Sequence, residues 1–130
     1  MILKLTPKKQ LGDLGETIAT NYLKKKGYQI IERNYTNASG IKLGEIDIIA
    51  KDKEKNELIF VEVKAREFKK YGNTLPEENV NYQKMRKLER IAYFYLQQNK
   101  LLNRNYRFDV IAVWVDWQTK TAKVKHIKSI

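Results

Sequence analysis

The stretch Gly44–Lys64, GEIDIIAKDKEKNELIFVEVK, constrains this chain more than any other. It reads as two β-strands joined by a charged turn, Lys51–Asn56. Along Lys42–Ala50, alternation predicts Leu43, Glu45, Asp47 and Ile49 on one face, with Ile46 and Ile48 on the other. Along Glu57–Lys64 it predicts Ile59, Val61 and Val63 on one face, with Leu58, Phe60, Glu62 and Lys64 on the other. Strands that are apolar on both faces belong in a sheet covered on both sides. Yet acids, and one lysine, sit near the strand ends. Burying such a charge unpaired costs several kcal/mol. Asp47, Glu62 and Lys64 must therefore compensate one another, or be completed by a cation and an anionic substrate.

Asp47 and Glu62 together can hold a divalent ion, since Mg²⁺ takes one or two carboxylates plus waters and phosphate oxygens. Glu62 and Lys64 lie two residues apart, about 7 Å along a strand, and project the same way. An ammonium there stands beside the ion without competing for it. The string Asp…Glu-x-Lys resembles the minimal signature of the PD-(D/E)xK nucleases, which cut phosphodiester bonds. Taken alone it also fits a solvated ion pair worth under about 1 kcal/mol. The apolar neighbours Ile46, Ile48, Phe60, Val61 and Val63 favour the first reading, because ordinary surface pairs do not sit among such residues.

Lysine and arginine exceed aspartate and glutamate by 26 − 15 = 11 in 130 residues. A net charge of that size favours a polyanion such as nucleic acid, although lysines that merely keep a surface soluble would give the same total. With no cysteine and one histidine, a disulfide scaffold, a thiolate-bound metal and a multi-histidine zinc site are excluded. The length suits a single domain, 1–130, with a real core. The apolar run in MILKLTPKKQ is too short for a signal peptide, and no later run spans a bilayer; the expected location is the cytoplasm, away from membranes.

Lys8–Lys26 is predicted as a helix with Leu11, Leu14, Ile18, Tyr22 and Leu23 as its apolar stripe. Gly12, Gly15 and Ala19 beside that stripe would allow close approach to the sheet. Glu16 sits at the edge of this small-residue face, where an ordinary boundary glutamate is the simpler reading. Gly27 closes the helix. Tyr28–Tyr35 reads as a weaker strand, joined through the polar turn Thr36–Lys42 in a hairpin, so three strands form an antiparallel meander. The long polar connection after Lys64 is the candidate substrate loop. There Arg66, Lys69 and Lys70, with Phe68 and Tyr71, suit contact with phosphates and bases.

Asn81 is the expected N-cap of a second helix, with Val80 and Met85 as a hydrophobic staple. Leu88, Ile91, Ala92, Tyr95 and Leu96 are its stripe, and Lys84, one turn earlier, points toward the sheet. Tyr106–Val115 is the strongest strand, suited to an interior position and parallel pairing after a helical crossover. Arg107 and Asp109 are expected to pair structurally. Thr121–Ile127 reads as a basic edge strand with His126 exposed.

In combination, LGDLGETIATNYLKKKGYQIIERNY, GEIDIIA, IFVEVKAR, Lys84 with its helix, and RFDVIAV resemble the YraN-like family of bacterial proteins. That family lies in the restriction-endonuclease-like clan, near the archaeal Holliday junction resolvases. One departure is the turn between Asn34 and Gly44, a few residues longer than usual. The resemblance implies an α/β fold, a central mixed five-stranded sheet flanked by helices in the order αβββαββ. It implies metal ligation by Asp47 and Glu62, with the Val63 carbonyl assisting and Glu16 in support, the ion being Mg²⁺ or Mn²⁺. Lys64 would orient or polarise the attacking water, and Lys84 would stand near the scissile phosphate. By the same analogy the substrate is DNA, with branched or repair intermediates in view, and the protein a homodimer. Two other readings compete. A nucleic-acid-binding accessory factor keeps the basic surface but needs no metal, and a basic protein-interaction domain needs neither.

Overall fold

The computed structural model describes residues 7–37, 43–68 and 81–130, with side chains from Lys9 onward. Helix α1 spans Pro7–Lys25, and strands β1, β2 and β3 span Gln29–Thr36, Glu45–Asp52 and Glu57–Glu67. Helix α2 covers Tyr82–Gln98, followed by β4 at Tyr106–Asp116 and β5 at Thr121–Ile127. The strands form one sheet in the order β1-β2-β3-β4-β5. Every neighbouring pair is antiparallel except β3 and β4, which run parallel. This is the expected αβββαββ arrangement, and α2 supplies the crossover that a parallel pair requires.

The two faces carry separate cores. On one, Ala19 and Leu23 of α1 pack on Ile48, Ile59, Val61, Ile111 and Val113. On the other, Leu88, Ile91, Tyr95 and Leu96 of α2 pack on Tyr35, Ile46, Ile49, Leu58 and Phe60. Helix α1 crosses β3 closely because Gly15 lies against Ala65: a Cβ at Gly15 would stand 2.5 Å from the Ala65 Cβ. Gly12 faces open space and has no such role. Gly27 ends α1 at φ 91°, while the Tyr28 N–H bonds the Leu23 carbonyl to close the cap. Asn81 caps α2 as expected, its side chain accepting the Lys84 N–H at 2.9 Å.

Two further expectations fail. Ile46 and Ile48 do not share a face: Ile46 packs on the α2 side and Ile48 on the α1 side. The cause is local. The β2–β3 ladder stops at Ile48↔Val61, and opposite Asp47 the β1 residue Asn34 adopts φ 55°. Released on one side and facing a left-handed residue on the other, β2 twists at Asp47. His126, expected to be exposed, has a side chain only 4% exposed, because it bonds Asp109 and packs edge-on against Tyr22. Lys69, Lys70, Tyr71, Val80 and most of the long connection lie outside the described residues. Among the described residues, no helix is long and apolar enough to cross a membrane.

Candidate metal centre

The break in the β2–β3 ladder also builds the site. Beyond Ile48↔Val61 the strands part, and the Val63 N–H donates to Asp47 Oδ2 at 2.8 Å in place of a ladder bond. A cleft of about 320 Å³ opens there, lined by Glu16, Asp47, Glu62, Val63, Lys64 and Arg66 among others. Three elements thus converge: α1 brings Glu16, β2 brings Asp47, and β3 brings the remainder. Helix α2 adds Lys84, which reaches Glu62.

Within the cleft the charges sort into two groups. Glu16, Glu45 and Asp47 each offer a carboxylate oxygen, all within 4.8 Å of one another. Glu62 instead faces two cations, with Lys84 Nζ at 2.7 Å and Lys64 Nζ at 3.4 Å from its Oε1. Asp47 and Glu62 thus line one cleft, but Glu62 stands outside the three-acid group and is held by the lysines. Val63 contributes a backbone N–H here. Glu16 is steadied from outside by Arg33, 3.6 Å away. Arg66 is exposed at the mouth, and its guanidinium bonds the Ala65 carbonyl. Glu45 is absent from the residues the motifs nominate. Its signal was its position two residues before Asp47, on the same predicted face.

Burial, with Glu62, Glu16 and Glu45 close by, pushes the Asp47 carboxyl up to about 7, and the Val63 N–H only partly opposes this. Glu16 is raised in the same direction by burial and by Glu45, although Asn34 and Arg33 work against it. Lys64 is lowered, by burial and by the adjacent Lys84. Burial is the strongest single influence on Lys84 and works to lower it, but the contacts with Glu62 and Lys64 and the charges of Glu62 and Asp47 together outweigh burial and hold it above the ordinary lysine range. Of the two lysines, Lys64 is therefore the one that gives up its proton more readily.

The donor set fits a hard divalent ion. Its ligands are all oxygen, and Mg²⁺ at about 2.1 Å from each places ligand oxygens up to roughly 4.2 Å apart. The observed 4.8 Å limit needs only a small contraction. A cation would also relieve the acid–acid repulsion that raises Asp47.

The model of the uncharacterised protein family UPF0102 matches residues 15–113, which include the nominated Glu16, Asp47, Glu62, Lys64 and Lys84. A UPF0102 protein of Caldicellulosiruptor saccharolyticus is 42% identical over 94% of this chain and 97% of its own length. One from Clostridium kluyveri is 44% identical over 92% of each chain. One from Alkaliphilus metalliredigens is 48% identical over 86% of this chain and 91% of its own. The chain belongs to the UPF0102 family, as its YraN-like motifs imply.

Proposed function

We propose that this chain is a Mg²⁺- or Mn²⁺-dependent nuclease that hydrolyses phosphodiester bonds in DNA, with branched or recombination and repair intermediates as its substrates. The observation that carries the reading is the parting of β2 and β3 at Asp47, which leaves a raised carboxyl facing further acids, with Lys64 on the same cleft wall. Asp47 with Glu16 and Glu45 would hold the ion. When bound, it would supply charge neutralisation and Lewis-acid polarisation at the phosphate.

The chain's own groups supply the rest. Asp47 is oriented by the Val63 N–H, so its second oxygen stays available to the cleft. Lys64, partly buried with a lowered pKa, can orient a water and stabilise charge on the phosphate oxygens. Lys84 holds Glu62 in place through their ion pair, and adds positive charge on the substrate side. The net charge of +11 draws a polyanion to the cleft.

The test is cleavage of labelled branched, flapped and single-stranded DNA by purified protein with Mg²⁺ or Mn²⁺. Asp47→Ala and Lys64→Ala should each lower the rate at least about 100-fold while DNA affinity in EDTA is largely kept, Lys64→Ala costing one phosphate contact at most. If wild type cuts none of these substrates with either metal, the nuclease reading falls. Retained, salt-sensitive DNA binding would then favour the accessory-factor reading.

A further inference from the structure

We propose that the α2-side face of β3–β4–β5 is a track for the nucleic-acid backbone, leading from the cleft across to the edge strand and built on Lys64, Arg66, Lys123 and Lys125. The inference rests on the proposed nucleic-acid substrate but adds a surface that the charged motif does not include.

Register places these residues. Lys64 pairs with Ala112, which pairs with Lys125; Arg66 pairs with Trp114, which pairs with Lys123. Residues directly opposed on adjacent strands project to the same face. That face is fixed independently, since Val113, Val115 and Val124 pack with α1. The alternating positions 112, 114, 123 and 125 therefore project to the other side. Glu62 and Lys64 are on that side too, where Lys84 of α2 meets Glu62.

The result is a grid of four cations around Ala112 and Trp114, of which Lys64 also faces Glu62 at the cleft. Neighbours along a strand are about 7 Å apart, and β3 and β5 lie about 10 Å apart. Arg66, Lys123 and Lys125 are exposed, and Lys64 stands at the cleft itself. Lysines on an edge strand also discourage pairing with other sheets. That role explains neither Arg66 nor the alignment of Lys123 and Lys125 with the catalytic lysine's face. A sheet holds its charges at fixed spacing, so phosphates would meet an array already ordered. The contacts reach only the backbone, so the track should not select sequence.

The experiment measures affinity of the full chain for a labelled synthetic DNA, in EDTA, across a series of KCl concentrations. The variant Lys123→Ala/Lys125→Ala should reduce the slope of log affinity against log salt by about two, near one unit per lysine. The control Lys24→Ala/Lys25→Ala removes the same charge from the exposed last turn of α1 and should leave the slope within experimental error of wild type. Lys123→Gln/Lys125→Gln repeats the test while keeping a long polar side chain. An unchanged slope in both β5 variants, or an equal drop in the control, overturns the track while leaving the nuclease reading intact. Wild-type protein that fails to bind DNA overturns both. Binding with the expected slope change but no cleavage supports the track and removes the nuclease.

Discussion

Asp47 and Asp109 sit on β2 and β4, on either side of β3 in one sheet, and burial presses upward on both carboxyls. Asp109 is fully buried and completely matched. Arg107 Nε donates to it at 3.0 Å, His126 Nε2 at 2.7 Å and the Ser129 N–H at 3.0 Å. These donors outweigh burial and hold Asp109 below the usual carboxylate range. Arg107 is shared further with Glu57 at 2.7 Å, Asp52 at 3.4 Å and the Tyr28 hydroxyl at 3.3 Å. Asp47 receives one backbone N–H and otherwise faces other acids, so its pKa rises. The contrast separates two uses of a carboxylate inside a fold. At Asp109 the chain supplies all the compensation itself. At Asp47 it withholds compensation, so the carboxyl takes up a proton more readily and could also be matched by a cation in the cleft.

Three substitutions would break or sharpen this contrast. The largest effect belongs to Arg107→Met, which strands the buried Asp109 and removes the partner of Glu57. Urea unfolding should show a loss of about 3–5 kcal/mol. A loss below about 1 kcal/mol would mean the network does not hold β2, β3 and β4 together. Asp47→Asn should act in the opposite direction. An acid raised to about 7 in the fold from 3.8 unfolded weakens the native state as pH climbs through that window, and the deficit levels off above it. Asn keeps an acceptor for the Val63 N–H but carries no charge. The variant should therefore be more stable than wild type by on the order of 2 kcal/mol above pH 7, converging below pH 4. Equal stability at both pH values would remove the frustration assigned to Asp47. The smallest effect is that of Lys84→Met, about 1 kcal/mol of destabilisation, because its ammonium is partly solvated and Lys64 still faces Glu62. The Lys64 pKa should rise in that variant, since Lys84 is among the groups that lower it. NMR titration of the lysine ammonium would report this, and an unmoved Lys64 would show the two lysines to be independent.

Features governed by neighbours in sequence were the legible ones. The Asn81 cap, the Gly27 stop and the inward aim of Lys84 follow from helical spacing, and each stands as expected. The alternation of β3 placed Glu62 and Lys64 together for the same reason. Features set by pairing between distant segments were hidden. The twist that separates Ile46 from Ile48 depends on where β3 lets go of β2. The burial of His126 depends on Asp109, 17 residues away on another strand. Glu45 joined the acids only once α1 had brought Glu16 beside them.

By itself, then, the sequence determined the order of elements, which residues were apolar, and that Glu62 and Lys64 must project alike; periodicity along one chain suffices for all three. Tertiary structure alone decided which charges would be neutralised internally. That depends on distances between segments far apart in sequence: Arg107 gathers partners from three other strands or turns, whereas the strands bearing Asp47 and Glu62 part before their charges can be fully matched.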